Sequence, residues 1–561
     1  MKGKKMLFKP KSLLLLCVAS LGFGLLMGAC SKNDSPVKPT LPTEEMPATI
    51  ADCVPADIEA LRAIAKANPE IHLFEGDDPS RWKTVRLKWV KNETGKYAVS
   101  TLSLEGKDVL INDFVLHLDG SKKGNTILSH LQRVDIIAAV KEVIILAQPA
   151  LETVRINGAG KAQAEKVNVQ GDKILKEVVI EAMPQLTAIM LGGDALEKVT
   201  LVNLPKLQDQ SNLKFRSGYD DEGNQVEDTN LKELILGGDL SLLDGLYLRG
   251  LNLEKLTLQT SLPQLKSLTL NNNRLSGSFE LKGLANLTIL NLAKNLLAAV
   301  KVSDCPKLEE LDASANKELK ECELSLPALK TLDLNETNLT KIDLSSFANL
   351  KKASAYSAKI TSVNLGNQNR KLSTVNFSDN QLAELNFPKE ASSVYLLTLN
   401  KNAIKSLNLS MMTDLERVSI NSNQLEDLKV GEEAESFEEL ECKNNHLSAK
   451  LLRQIKNTLS TLNKWEIAPQ YLLERVDVEK KQIRATEEIN ELRLVPKVQK
   501  KNGNKWVDAG ASDFRLENGI YTIMGKGTFR VIYTGSILEP GFGNFSTFSS
   551  SDPYVIGEIN V

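Results

Sequence analysis

Residues 265–275 read LKSLTLNNNRL, and this stretch decides the fold of the 561-residue chain. Apolar residues occupy its first, fourth and sixth positions, Asn273 occupies the ninth, and Leu275 closes it. The pattern recurs in nine copies at steps of 21 or 22 residues, which open at Leu265, Leu287, Leu308, Leu329, Leu350, Leu372, Val394, Leu415 and Phe437. A fixed period of this length predicts a solenoid, in which each copy forms one coil and neighbouring coils stack.

The spacing within each copy predicts which side chains face the core. Residues two apart in an extended strand point to the same side. Leu268 and Leu270 therefore face inward, whereas Ser267, Thr269 and Asn271 face outward. One coil cannot bury its apolar side alone, but stacked coils complete a continuous core. The sequence thus predicts a leucine-rich-repeat solenoid with one short strand per coil, joined in a parallel β-sheet.

The ninth position of the pattern predicts a structural ladder of amides. It is Asn in seven of the nine copies, and the exceptions are Thr337 and Ala358. The seven are Asn273, Asn295, Asn316, Asn380, Asn402, Asn423 and Asn445. A buried amide can bond the turning backbone, whose unpaired polar groups would otherwise cost roughly 1 to 3 kcal/mol each. We interpret this row as part of the fold and not as a ligand site.

The cysteines fit the repeat register better than a disulfide framework. Apart from Cys17 in the leader and Cys30 directly after it, the chain has Cys53, Cys305, Cys322 and Cys442. The last three occupy positions where other coils place a hydrophobic residue, and buried free Cys is common. Free thiols in the core are therefore predicted. A bond between Cys305 and Cys322, one coil apart, is the one pairing left open.

A second apolar pair follows the Asn position in most coils, as in Ile342/Leu344 and Leu407/Leu409. It predicts extended backbone on both faces of each coil, with no room for a long helix. With segments such as residues 339–345, LTKIDLS, these short coils resemble bacterial surface leucine-rich repeats of the internalin and Bacteroidetes adhesin kind. The likeness covers about 180 residues. It implies a scaffold that binds a partner at a cell surface.

The first 29 residues predict export. They contain five lysines, no acid, and an apolar run from Leu13 to Ala29, as a secretory signal does. The run ends in LMGAC at residues 26–30, which resembles a bacterial lipoprotein cleavage site, although that family prefers Leu or Val where Met27 stands. The resemblance implies a lipid on Cys30 and an outer-membrane protein, and the polar residues after Cys30 are similar to surface-export signals. An uncleaved anchor and an ordinary secretory signal are the alternatives.

The rest of the chain divides by composition. A Pro-rich polar tether is predicted for residues 30–50, and an N-terminal α+β cap for 51–140. The leucine-rich-repeat domain is predicted for 141–463, with degenerate coils such as Leu253/Leu256/Leu258, a polar insertion at 209–230, and a capping helix at its end. Short alternating strands predict an immunoglobulin-like β-sandwich for 464–561.

The sequence contains no catalytic motif. Its four histidines are scattered, and it has no zinc-protease, nucleophile-elbow or phosphate-loop motif. The formal charge of −2 becomes −7 once the five leader lysines are removed, which gives no support for nucleic-acid binding. Calcium ligands of EF-hand spacing are absent from the insertion as well. We therefore expect no enzyme activity, no metal and no cofactor.

Function is left to the outward positions of the predicted concave sheet. Most are small and polar, but some are acidic, basic or apolar, and these form the candidate ligand-binding set: Ile289, Glu310, Asp312, Asp333, Lys352, Tyr356, Leu396 and Arg417. Aromatic residues and Arg are frequent interface anchors. The first hypothesis is a lipid-anchored adhesin that binds a protein or glycan through this face. The second is an accessory subunit of an outer-membrane assembly that uses its C-terminal β domain.

Overall fold

The computed structural model describes most of the chain after residue 45. The described residues are 46–68, 85–105, 114–120, 126–171, 174–208, 213–216, 230–388, 393–432, 434–459, 461–472, 475–537, 548 and 552–561. The predicted leader, Cys30 and most of the tether lie outside them, as do His72 and most of the polar insertion.

Most coils of the solenoid contribute a strand to each of two faces. The strands of the first half are β1 (Val85–Lys91), β2 (Tyr97–Glu105), β3 (Phe114–Asp119), β4 (Arg133–Ile137), β5 (Val140–Leu146), β6 (Thr153–Asn157), β7 (Lys166–Gln170), β8 (Glu177–Glu181), β9 (Ala188–Gly192), β10 (Lys198–Val202), β11 (Leu213–Arg216), β12 (Glu233–Gly237), β13 (Gly245–Tyr247) and β14 (Lys255–Leu258). One face is an eight-stranded sheet in the order β1-β2-β4-β6-β8-β10-β12-β14, and the other is a five-stranded sheet in the order β11-β9-β7-β5-β3.

The second half is more regular on one face than on the other. Its strands are β15 (Ser267–Thr269), β16 (Ser276–Lys282), β17 (Ile289–Asn291), β18 (Leu296–Ser303), β19 (Glu310–Asp312), β20 (Glu321–Leu324), β21 (Thr331–Asp333), β22 (Lys341–Asp343), β23 (Lys352–Ser354), β24 (Ser362–Asn364), β25 (Thr374–Asn376), β26 (Leu396–Thr398), β27 (Ser406–Leu409), β28 (Arg417–Ser419), β29 (Asp427–Val430), β30 (Glu439–Glu441) and β31 (Lys464–Glu466). An eleven-stranded parallel sheet, here the long sheet, runs β13-β15-β17-β19-β21-β23-β25-β26-β28-β30-β31. The back face, by contrast, is divided into β16-β18-β20, β22-β24 and β27-β29.

The apolar triplet Leu253/Leu256/Leu258 of a degenerate coil lies on the opposite face of the solenoid from the triplets of the regular coils. Leu256 and Leu258 belong to β14 in the eight-stranded sheet, whereas Leu268 belongs to β15 in the long sheet. The strand that precedes β15 in the long sheet is β13, which contains Leu246. Aligning Leu253/Leu256/Leu258 with the regular copies is therefore wrong. Both strands of an early coil have the same apolar spacing, and the spacing alone does not distinguish the faces.

The amide ladder predicted from the sequence is present. Asn295 donates to Leu270 O and Leu292 O at 2.9 Å, and it accepts from Leu275 N at 3.0 Å. The other six ladder Asn residues repeat this arrangement between neighbouring coils. The bond to the preceding coil clamps the two coils together. Thr337 makes only a bond within its own coil, from its hydroxyl to Leu334 O at 2.9 Å.

The solenoid continues past the predicted boundary at residue 463. Helix α2 (Ala449–Thr458) begins at Ser448, whose side chain accepts from Leu451 N at 3.1 Å. After the helix, β31 joins the long sheet beside β30. Gln470 then takes a ladder position, because it donates to Cys442 O at 2.7 Å and accepts from Leu447 N at 3.1 Å. The coil that holds α2 is thus the last coil of the solenoid.

The C-terminal residues form two packed sheets. The strands are β32 (Gln470–Tyr471), β33 (Val476–Asp477), β34 (Gln482–Arg484), β35 (Lys497–Asn502), β36 (Lys505–Asp508), β37 (Phe514–Glu517), β38 (Ile520–Ile523), β39 (Thr528–Tyr533) and β40 (Tyr554–Asn560), with a π-helical turn at Glu487–Glu491. The sheets are β32-β40-β39-β35-β36 and β33-β34-β38-β37. Tyr554 accepts a bond from Ala449 N at 2.9 Å, which joins this domain to α2. The immunoglobulin-like assignment stays a prediction.

At the other end of the solenoid lies helix α1 (Pro55–Ala67). Its buried Asp57 accepts from Val99 N at 2.7 Å, and Asn68 just after it exchanges two bonds with the backbone of Val115. Strands β1 and β2 form an antiparallel pair at the edge of the eight-stranded sheet. Among the described residues, no helix is long and apolar enough to cross a membrane.

The four described cysteines are free thiols. Cys305 and Cys442 are fully buried, as the repeat register predicts, and Cys53 is buried as well. Cys322 pairs with Val300 in the sheet and is half-buried, and burial of the thiol raises its pKa to about 12. The Cys305–Cys322 bond left open by the sequence is not formed.

Candidate functional site

The outer face of the long sheet presents its side chains in rows. From β17 onward, the middle residue of each strand is buried and its two neighbours point outward. Because the strands are in register, the first outward residues form one row: Ile289, Glu310, Thr331, Lys352, Thr374, Leu396, Arg417, Glu439 and Lys464. The second row consists of Asn291, Asp312, Asp333, Ser354, Asn376, Thr398, Ser419, Glu441 and Glu466.

All eight residues predicted from the sequence lie on this face. The first row contains Ile289, Glu310, Lys352, Leu396 and Arg417, and the second contains Asp312 and Asp333 on neighbouring strands. Tyr356 follows β23 by two residues and is 37% exposed. They do not form one cluster, since Tyr356 and Arg417 are three strand spacings apart along the sheet, about 14 Å.

The middle of the face is acidic. We call Glu310, Asp312, Asp333 and Glu336 the acidic patch. Asp312 accepts from Ser314 N at 3.0 Å and from Asn291 Nδ2 at 3.3 Å, so uncharged donors hold it in place. Burial raises the pKa of Asp333, and the carboxylates of Asp312 and Glu336 add to the rise. Within the described ranges, no Lys, Arg or His nitrogen lies within 4.0 Å of these four carboxylates.

Tyr356 belongs to the acidic patch through Glu336. Its hydroxyl donates to Glu336 Oε1 at 3.0 Å, and this bond raises the pKa of the phenol. Its backbone N–H donates to Asn335 Oδ1 at 2.7 Å, and Ser354 Oγ donates to the same oxygen at 2.7 Å. The ring is thus fixed beside the carboxylates and remains exposed.

Sequence reasoning missed Glu336 and Asn335. Glu336 precedes the ladder position and has a φ of +53°. Every regular coil has a left-handed residue at this point: Asn272, Lys294, Ala315, Glu336, Ser357, Asp379, Lys401, Ser422 and Asn444. The repeat register would have located Glu336, had the turn position been read together with the strand positions.

At the C-terminal end of the same face, the acidic side chains form ion pairs with basic ones. Lys464 Nζ lies 2.6 Å from Glu441 Oε1, and this bond lowers the pKa of Glu441. Lys443 pairs with Glu466. Arg417, one of the candidate ligand-binding residues, has its Nε 3.9 Å from Glu439 Oε1. Here each acid has a basic partner, and little charge remains for a ligand.

The described histidines have ordinary partners. His117 Nε2 lies 2.9 Å from Glu142, His130 Nδ1 lies 2.9 Å from Ser129 Oγ, and His446 contacts Tyr471 O. In the part of the chain that the structure describes, no group of three or more His, Cys, Asp or Glu residues could hold a metal ion. The outer face of the long sheet offers hydrogen-bonding groups and charge.

The architecture is a parallel β-solenoid of about 15 turns, in which the regular coils share an apolar triplet and most of them are joined by a clamping amide. The chain has the leucine-rich-repeat fold. No family model matches it. A leucine-rich-repeat protein of Acanthamoeba polyphaga mimivirus is 30% identical over 113 residues, which is 20% of this chain and only 26% of the viral protein.

Solved leucine-rich-repeat structures are more distantly similar. YopM from Yersinia enterocolitica is 18% identical, with a TM-score of 0.34 over 66% of this chain and 78% of that one. The functional domain of InlJ from Listeria monocytogenes is 16% identical, with a TM-score of 0.31 over 64% and 86%. Identities this low say nothing about a ligand.

Proposed function

We propose that this protein is a lipid-anchored surface protein that binds a partner through the outer face of its long sheet, as an adhesin does, without catalysis. The observation that carries the proposal is the acidic patch beside Tyr356. Four carboxylates with no cation at contact distance attract basic groups, and a fixed exposed phenol supplies apolar contact area at low entropic cost. The favoured partner is a protein with a basic surface; a glycan is the alternative ligand.

The patch is tested with the full chain after export. Purified protein is screened against immobilised surface proteins and glycans, and hits are repeated with Asp312→Asn/Asp333→Asn and with Tyr356→Ala. We expect each variant to weaken binding at least tenfold and to reduce its salt dependence. Asp304→Asn is the matched control, since Asp304 lies on the back face next to Lys282. Unchanged affinity in both patch variants would remove the proposal.

Anchoring is a separate part of the proposal and rests on residues 1–30. Metabolic labelling with a fatty-acid analogue should mark the wild type and not Cys30→Ser. Protease treatment of intact cells should remove the solenoid if it is exposed on the outer surface. A labelled protein that is resistant on intact cells and cleaved after permeabilisation would place the chain on the inner side of the outer membrane.

The second candidate function is an accessory subunit that binds through its C-terminal domain. It is favoured by Trp506 on the outer face of the β32–β36 sheet, where Arg530 Cζ lies 4.3 Å and Lys501 Nζ 5.7 Å from the ring centroid. Trp506→Ala in the full chain separates the candidates, because the first predicts no effect on binding. A fragment starting at residue 464 is unsuitable, since β31 belongs to the long sheet.

A further inference from the structure

The back face has a cleft where the sheet is interrupted. Among the strands that the structure describes, β20 pairs with β18 alone and β22 with β24 alone, so the edges of β20 and β22 face each other unpaired. A cleft of about 350 Å³ lies between them, within the roughly 300 to 1,000 Å³ range of ligand sites. Its walls are Cys322–Leu324 and Lys341–Phe347, and its floor includes Leu332 and Leu334 from the long sheet.

A ladder clamp is missing at this opening, although β22 and β24 stay paired beside Ala358, which cannot clamp either. Asn316 reaches Leu292 O in the preceding coil at 3.0 Å, and β18 and β20 are paired there. Thr337, which should clamp the next two coils, bonds only Leu334 O in its own coil. The exposure of the side chains on β18 and β20 agrees with this position of the cleft. Val300 and Val302 are fully buried, whereas their sheet partners Cys322 and Leu324 are only half-buried.

The chemistry of the walls points to an extended peptide. Unpaired strand edges present backbone N–H and C=O groups that a lipid chain cannot bond, whereas a peptide strand can. Of the core-facing side chains, the half-buried Cys322 and Leu324 would pack against apolar side chains at alternate positions, whereas Ile342 and Leu344 on the other wall are already buried. On the outer side Glu323, which is already paired with Lys301, and Asp343 flank the cleft. The charge of Asp343 favours a basic residue between those apolar positions.

The chain itself already fills the other edge of β20 with such a sequence. In β18, Val300, Lys301 and Val302 pair with β20, and Lys301 Nζ lies 3.3 Å from Glu323 Oε2. We propose that the cleft between β20 and β22 binds a partner's extended peptide segment as an added parallel strand, with the pattern apolar-basic-apolar. This site is separate from the acidic patch and does not depend on it.

The test uses full-length protein and a labelled synthetic peptide with the sequence of residues 297–303, LAAVKVS. Fluorescence anisotropy should show saturable binding, and replacing the peptide Lys by Glu should weaken it at least tenfold. Hydrogen exchange should slow at residues 321–325 and 341–345 when the peptide is added. No saturable binding, or protection confined to the long sheet, would overturn the proposal, as would equal binding of the Lys and Glu peptides.

Two variants probe the site without unfolding it. Thr337→Asn should restore the clamp, narrow the cleft and weaken peptide binding at least tenfold. Glu323→Gln/Asp343→Asn should remove the preference for Lys over Glu in the peptide. Asp427→Asn on β29 is the matched control on the same face and should leave binding unchanged. If lauric acid competes with the peptide and the charge variants have no effect, the cleft is a lipid site and the peptide proposal fails.

Discussion

The middle of the long sheet and its C-terminal end are built from the same repeat but differ in how completely their polar groups are paired. Around β19 to β23 the four carboxylates of the acidic patch have no Lys, Arg or His nitrogen within 4.0 Å among the described residues, the ladder has Thr337 and Ala358 in place of Asn, and back strands β20 and β22 are not paired with each other. Around β28 to β31 the carboxylates meet Lys443, Lys464 and Arg417, and the ladder continues to Gln470. The comparison shows that both candidate sites lie in coils that lack the ladder amide or the ion pairs found near the C-terminal end.

The largest expected effect comes from breaking the intact ladder. Asn423→Ala removes bonds to Leu399 O, Ile420 O and Ile404 N, all in a buried turn. Unpaired buried groups should lower the free energy of unfolding by about 3 kcal/mol. Urea denaturation measures it. Thr337→Ala, which loses one bond, should cost only about 1 kcal/mol, and equal losses for the two would contradict the comparison.

Restoring the missing clamp should have the opposite sign. Thr337→Asn supplies an amide that can reach the preceding coil, so we expect an increase of about 1 kcal/mol in the free energy of unfolding. Thermal and urea unfolding both measure it. A destabilised variant would mean that the coils at β20 and β22 are held apart by packing and not by the absent amide.

The stability contributions of the middle of the long sheet and of its C-terminal end should also respond oppositely to pH. Because the pKa of Asp333 is raised in the fold, its ionisation opposes folding, and this cost is present at neutral pH and disappears as pH falls through the raised pKa. The pKa of Glu441 is lowered, so its stabilisation is present at neutral pH and lost as pH falls through the lowered value. At pH 7, Asp333→Asn should stabilise and Glu441→Gln destabilise, each by up to about 1 kcal/mol. Urea titrations at pH 7 and at pH 3 would reveal whether the signs match.

The smallest expected effect on stability concerns the exposed ion pair between Lys464 and Glu441 at the C-terminal end of the long sheet. Lys464→Ala should cost only a few tenths of a kcal/mol, roughly the value of an exposed ion pair. It would leave Glu441 without its closest cation and make this end resemble the acidic patch. A basic partner should then bind more tightly at low salt. No gain would indicate that Tyr356 and the turn at Glu336, and not charge alone, define the site.

The sequence predicts the fold far better than the site. The apolar triplets and ladder Asn residues recur because every coil must solve the same burial problem, and the structure has them as predicted. The faces of the early coils could not be assigned, since Leu253/Leu256/Leu258 and Leu265/Leu268/Leu270 have identical spacing. The ladder position of Gln470 was not predicted, because α2 lengthens its coil and Gln replaces Asn there. The outward residues obey no burial rule, so only their strand register could be predicted.

Gln470 has a mechanical consequence for the whole protein. It completes the ladder of the solenoid and is also the first residue of β32, where it pairs with Tyr554 of β40. No linker separates the last coil from the C-terminal sheets, and a torque on those sheets is transmitted directly to the coil stack. The orientation of Trp506 relative to the acidic patch is therefore fixed by the hydrogen-bond register that Gln470 shares between the solenoid and the C-terminal sheets.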